Sequence, residues 1–269
     1  MTFKGFSTKY PEYEVITPQT QLSFTLRSLN VQEEERLKGS MMTPQKITEH
    51  LNTCLFESMV TKPESIKNLN DFLKQTTLKD RDALLYGLYH ITYEEIRNYE
   101  LRCTKCSHVY PITIEASSTF NYNPYPGKDV LAARAEVKLP ATEGVKAVVK
   151  QPTLMDELIT LKDLAGRPGS SVEIITETLI IDRFLQDNEA TKEPNIYSDR
   201  ADILDAYLTL PAKDKRVIYQ EYDKNFGQYG IELKMRSFCP ACSNEEVYSI
   251  DLVENFFRSM FSAWWNLRV

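Results

Sequence analysis

Two C-x-x-C pairs, Cys103-Thr104-Lys105-Cys106 and Cys239-Pro240-Ala241-Cys242, hold four of the five cysteines in a chain of 269 residues. Thiolates are soft ligands, and one tetrahedral metal ion takes four of them at about 2.3 Å each. Each pair can supply half of such a site. The spacing therefore points to one structural zinc per chain, bound by Cys103, Cys106, Cys239 and Cys242. Rubredoxin-type iron fits the same ligands, and a redox disulfide is the competing use of a C-x-x-C. A thioredoxin-like dithiol stands alone at a helix N-terminus after a β-α-β pattern, which neither pair does. Four thiolates leave no open position for water, so the metal is expected to be structural and not catalytic. His108 is read as a surface residue beside a site that is already full.

Both pairs need rigid hairpins to aim them. Residues 99–102 and 109–115 read as strands around the first pair, and 231–238 and 246–251 do so around the second. Strand, C-x-x-C turn, strand is a zinc knuckle, and two facing knuckles make a zinc ribbon. Elsewhere residues 12–16 and 21–26 read as a hairpin, with Leu22, Phe24 and Leu26 alternating as one buried face. Residues 31–37 form an acidic helix, and Thr43-Pro44 opens another that runs to about Met59 on the stripe Ile47, Leu51, Leu55 and Met59. A helix follows Pro63, and another spans 77–90, where Asp80 and Asp82 suit the positive end of the helix dipole. Residues 130–139 and 145–149 read as strands, and 153–164 as a helix. Both helix and strand fit the β-branched run at 171–184, while 187–194 is a polar loop. Helices at 198–208 and 212–226 lead to the second knuckle. The chain is thus expected to be α+β, mixed helical and antiparallel, with a zinc-ribbon-like unit.

Four stretches are expected within one continuous globular unit: 1–92 (hairpin and helices), 93–152 (first knuckle and β region), 153–230 (helices) and 231–269 (second knuckle and an aromatic helix). Candidate partner-binding residues come from two aromatic segments. Tyr122 and Tyr125 lie in the turn-rich stretch 117–127. Phe257, Phe261, Trp264 and Trp265 lie on a helix over 253–265, where Phe257, Phe261 and Trp264 share a face. The buried, inert reading suits Cys54, one turn from Leu51 on an apolar face.

Several function classes are disfavoured. The net charge is −6 and the sequence pI about 5.3, against the basic surface that a general nucleic-acid binder needs. The chain contains no G-x-S-x-G, P-loop, G-x-G-x-x-G or H-E-x-x-H motif, so no enzyme and no small-molecule substrate are expected. No run of about 18 apolar residues offers a membrane span, and no secretory signal opens the chain. A hydrophobic fraction of 42% with 26% charged residues is that of a globular protein. A zinc-ribbon regulator of host transcription, or of nucleic acid, is the alternative of a different class.

One ordered set of features resembles a known family. A hairpin and short acidic helix lead to Cys103-Thr104-Lys105-Cys106 with Ile112-Thr113-Ile114 behind it. Then come Val148-Val149-Lys150-Gln151-Pro152-Thr153, Ile180-Ile181-Asp182, Leu210-Pro211, Phe238-Cys239-Pro240-Ala241-Cys242 and Phe256-Phe257. This order resembles the baseplate hub subunit and hub-assembly family of T-even-type contractile-tailed bacteriophages, over residues 13–257. The resemblance implies a non-enzymatic virion protein of the tail baseplate, made in the host cytoplasm. It also implies other tail and baseplate proteins as partners, in a multi-subunit assembly. The chain departs from the pattern at Ser243, where a glycine is common, and in longer segments at 117–129 and beyond Phe257.

Overall fold

The computed structural model describes residues 9–37, 43–93, 97–114, 120–167, 171–188 and 190–249. The aromatic segment with Phe257, Phe261, Trp264 and Trp265 lies outside the described residues. Strands β1 (Glu12–Ile16) and β2 (Ser23–Arg27) pair antiparallel as the sequence predicts, and β3 (Met59–Thr61) joins the open side of β2. Helices α1 (Val31–Leu37), α2 (Pro44–Glu57), α3 (Leu69–Gln75) and α4 (Leu78–Tyr93) pack with this small sheet. Phe24, Leu26, Leu55, Phe72, Leu84 and Leu88 make the centre of that core. The helix from Pro44 ends earlier than its apolar stripe suggests. Ser58 closes α2, its N–H bonded to Cys54 O, and Met59 turns into β3 opposite Leu26.

A second core lies on a four-stranded antiparallel sheet of order β10-β9-β8-β7. Its strands are β7 (Ala135–Lys138), β8 (Val145–Val149), β9 (Ile181–Gln186) and β10 (Asn195–Tyr197). Ala147, Val149, Ile181 and Phe184 pack there against Ile203 and Tyr207 of α7 (Arg200–Thr209) and Ile218 of α8 (Ala212–Tyr222). Between the cores run α5 (Leu154–Asp163) and α6 (Val172–Thr178), with Leu161, Leu164, Ile175 and Leu204 in a smaller cluster. The ambiguous 171–184 run is thus both structures in turn. Ser171 caps α6 by accepting from Ile174 N–H, and the chain then enters β9. The expected strand over 130–139 is shorter, starting only at Ala135.

The starts of α4 and α5 lie side by side. Thr153 caps α5 in a full capping box with Asp156, and Thr77 accepts from Asp80 N–H at 3.1 Å. Thr77 and Thr153 form an antiparallel bridge, with Leu78 N–H bonded to Pro152 O and Leu154 N–H to Thr76 O. Two orphan helix ends thereby satisfy part of each other's backbone.

The tip of the β1–β2 hairpin is buried at the centre of the chain. Gln19 is 2% exposed, and its Nε2 donates to the carbonyls of Phe226 and Tyr229. The Phe226 carbonyl belongs to a π-helical turn, Asp223–Gly227, that ends α8, and Tyr229 follows two residues after it. Such turns change the register of a helix and re-aim its last groups. Gln19 Oε1 accepts from Thr77 Oγ1 at 2.7 Å, and Gln19 N–H donates to Asp80 Oδ1 at 2.8 Å.

Candidate metal centre

Four strands build the two knuckles. In the first, β4 (Arg97–Arg102) pairs antiparallel with β5 (Val109–Ile114). In the second, β11 (Gly230–Phe238) pairs with β12 (Glu245–Ser249). Both turns have the same backbone pattern. Cys103 N–H donates to His108 O and Ser107 N–H to Cys103 O, each at 2.9 Å. Cys239 N–H donates to Asn244 O at 3.0 Å and Ser243 N–H to Cys239 O at 2.8 Å. Ser107 and Ser243 hold the left-handed position of each turn, with φ of 59° and 54°. Glycine is the usual residue there because it lacks the Cβ that makes this region unfavourable. The serine at 243 is therefore accommodated, and the turn has the same form as its counterpart.

The sulfurs of Cys103, Cys106, Cys239 and Cys242 all lie within 4.8 Å of one another. Across the knuckles, Cys103 Sγ is 3.6 Å from Cys242 Sγ, and Cys106 Sγ is 3.6 Å from Cys239 Sγ. A tetrahedron with ligand bonds of about 2.3 Å has edges of about 3.8 Å, so the donor set fits one ion of that size. Cys103 and Cys239 are buried, Cys242 is half-buried and Cys106 is exposed. Burial opposes ionisation of Cys239, yet the N–H groups of Ala241 and Cys242 and the neighbouring thiols bring it down to about 7. Against the backbone N–H groups of His108 and Asn244, contacts with the other sulfurs push Cys106 up to about 12 and Cys242 upward in return, so these thiols titrate as one group. His108 is exposed, stacks on Tyr110 with ring centroids 6.3 Å apart, and takes no place in the cluster.

A group of side chains that the sequence did not mark holds the knuckles face to face. Glu246 accepts from Thr104 N–H at 2.8 Å and from the Thr104 hydroxyl, across from one knuckle to the other. Tyr248 and Asn244 donate to the same carboxylate. The hydroxyl of Thr104, that of Tyr248 and the Thr104 N–H hold Glu246 down at about 2. On the neighbouring strands Ser237 and Tyr110 share a buried hydroxyl contact of 3.1 Å. Only strand alternation could have pointed to Glu246 over Glu245, since residues 246 and 248 face one way and 245 and 247 the other.

A model of the T4 bacteriophage base plate protein family matches residues 10–258. The chain belongs to that family. No curated protein and no solved structure matches it. Membership makes this base plate family protein a non-enzymatic component of the phage tail, synthesised in the host cytoplasm and assembled with other tail proteins. Among the described residues no helix is long and apolar enough to cross a membrane.

The two described aromatic candidates are placed near the hairpin tip, away from the sulfur cluster. Residues 120–123 form β6 (Phe120–Asn123), a strand where the sequence suggested a loop, and it pairs with residues 230–233 of β11. Tyr122 is 37% exposed, with its hydroxyl 3.3 Å from Thr17 O. Tyr125 stacks on Phe226 and meets Tyr229 edge-on, with centroids 6.4 and 5.4 Å away. Cys54 is buried, and burial pushes its thiol up to about 12.

Proposed function

We propose that this base plate family protein is a zinc-stapled hub protein of the tail baseplate, either a hub subunit or a hub-assembly factor, that works by binding other baseplate proteins. The observation that carries the reading is the four-sulfur cluster, set between two hairpins in a chain that matches the base plate family over residues 10–258. Zinc suits the site because a closed set of four thiolates satisfies its tetrahedral preference without redox chemistry. The metal ties β4–β5 to β11–β12. Since β11 also pairs with β6 and packs on α4, the tie reaches the rest of the fold. These cross-connections support treating the four sequence stretches as one working unit.

Binding surfaces are then sought outside the staple. Tyr122 on β6 is one candidate, and Phe257, Phe261, Trp264 and Trp265 are others by their residue type alone. Tyr125 contributes less directly, since its ring already packs on Phe226 and Tyr229.

Elemental analysis of the purified chain is expected to give one zinc per chain. Replacing Cys239 with Ser should abolish stoichiometric zinc and loosen the knuckles, because metal binding at such a site contributes to folding. A fully folded chain with no metal would refute the zinc assignment. Mass spectrometry of purified virions separates the two hub roles. Stoichiometric presence identifies a subunit, and absence from virions together with binding to hub intermediates identifies an assembly factor.

A further inference from the structure

The sulfur cluster has a second chemistry available to it, because two of its closest contacts cross between the knuckles. Two of the close sulfur contacts join one knuckle to the other, Cys103 to Cys242 and Cys106 to Cys239, both 3.6 Å, in a cluster whose sulfurs all lie within 4.8 Å of one another. The knuckles are also held together by contacts that do not involve metal. Thr104 donates to Glu246, and Ser237 meets Tyr110 in a buried position. The sulfurs of opposite knuckles are therefore already side by side when an oxidant arrives. One of them, Cys106, is exposed, while its neighbour Cys239 is buried behind it. An oxidant reaches the first and the second is placed to resolve it.

We infer that the cluster is an oxidation site for peroxide, at which the four thiolates close into two cross-knuckle disulfides, Cys106–Cys239 and Cys103–Cys242, and the metal leaves. The inference rests on the four-thiolate metal reading. In the first step the Cys106 thiolate attacks a peroxide oxygen, the O–O bond breaks, and a sulfenic acid forms as the other oxygen leaves as water. The Cys239 thiolate then attacks that sulfur, the S–S bond forms, and hydroxide leaves and is protonated. The second pair repeats this. In sum, four thiolates, two peroxides and four protons give two disulfides, four waters and one released Zn²⁺. A bond between distant chain segments restricts the unfolded chain far more than a bond within a C-x-x-C, so the cross-knuckle product would hold the fold more firmly once formed. The chemistry would replace a metal tie by a covalent tie of the same connectivity. It suits a protein made in a reducing cytoplasm and carried in a particle outside it.

The test uses the full chain, hydrogen peroxide and a colorimetric zinc chelator, followed by tryptic mapping without reduction. Two equivalents of peroxide should release one zinc per chain. The map should join Cys103 to Cys242 and Cys106 to Cys239, with fragmentation distinguishing the two cysteines that share a peptide. Buried Cys54 should remain a thiol in the same sample and serves as an internal control. Cys106→Ser should still yield Cys103–Cys242 after oxidation. Disulfides within the pairs, Cys103–Cys106 and Cys239–Cys242, or disulfides only between chains, would overturn the inference. The two readings fail separately. A purified chain without metal that still maps cross-knuckle removes the zinc assignment alone, and a zinc-loaded chain that maps within its pairs removes the oxidation product alone.

Discussion

Asp80 is fully buried, and a carboxylate in that position must find donors inside the protein to replace water. It finds them in the hairpin tip and in its own helix start: Gln19 N–H, Thr20 N–H, the Thr20 hydroxyl at 2.7 Å and Thr77 N–H. Burial nevertheless shifts its pKa upward, with these hydrogen bonds opposing the shift. In the sequence Asp80 looks like an ordinary dipole partner near a helix start. What the pattern cannot show is that Gln19 and Thr20 arrive from a hairpin 60 residues earlier to use the same oxygens. Asp80→Asn replaces one acceptor oxygen with an NH₂ that faces donors. It should cost about 2–3 kcal/mol, the scale of a buried group left unsatisfied, read as a lower denaturation midpoint at unchanged slope. A loss below about 0.5 kcal/mol would place the hairpin tip outside the stabilising core.

Glu33 gives a residue-scale prediction with a pH axis. Its Oε1 is 2.6 Å from Arg27 Nη2 and its other oxygen 2.9 Å from Arg27 Nη1, with Asn30 N–H on that same oxygen. The Arg27 hydrogen bonds hold the carboxyl below its ordinary value, against burial that raises it. A depressed carboxylate contributes stability above its unfolded pKa, about 4.3, and that contribution is lost as pH falls through the folded value. The stability difference between the wild type and Glu33→Gln should therefore be largest at neutral pH and shrink as the solution is acidified below about pH 4. A difference that stays constant from pH 7 to pH 3 would show that the Arg27 pairing has no net effect.

At the scale of elements, α4 lies against the hairpin so closely that one position has no room for a side-chain carbon. A Cβ built on Gly87 would stand 2.4 Å from Val15 Cγ2 and 3.3 Å from Tyr13 Cδ1. Val15 is β-branched and 7% exposed, so it has little freedom to move aside. Alanine is the better helix former by about 1 kcal/mol, but overpacking a core costs about 1–3 kcal/mol. The clash should win, and Gly87→Ala should lower the melting temperature while Val15→Ala in the same chain recovers part of the loss. If Gly87→Ala is stabilising, the α4–β1 approach is looser than described. Elements with a local signal were legible in the sequence. The caps at Thr43 and Thr153, the hairpin, the knuckle strands and the four ligand candidates all follow from short patterns. The missed elements depend on partners far away in the chain. β6 looks like a loop because Pro124, Pro126 and Gly127 follow it, yet its register comes from β11. β3 and β10 are short strands with hydrogen-bonding partners that only the folded sheet supplies, and the π-helical turn after α8 has no composition signal.

For the whole molecule, the two larger cores and the ribbon have different sources of stability, and metal removal should separate them. Each larger core contains many buried aliphatic and aromatic side chains, Ile, Phe and Tyr among them, whereas the ribbon's buried apolar group is Cys103, Tyr110 and Cys239, with Leu101, Ile112 and Cys242 partly buried beside it. So small a cluster has little hydrophobic burial to hold two hairpins together, and the metal would supply the difference. β11 joins both regimes. Its residues 234–238 pair with β12 in the ribbon, while 230–233 pair with β6, and the strand packs on α4. Stripping the metal under reducing conditions should therefore raise amide exchange in β4, β5, β12 and the 234–238 half of β11 by at least tenfold, which corresponds to about 1.4 kcal/mol of local opening. Amides of α4, β8 and the 230–233 half of β11 should keep their protection. Uniform exchange along all of β11 would mean that the ribbon and the cores unfold together, and unchanged exchange in the knuckles would mean that Glu246, Thr104 and their neighbours hold the ribbon without a metal.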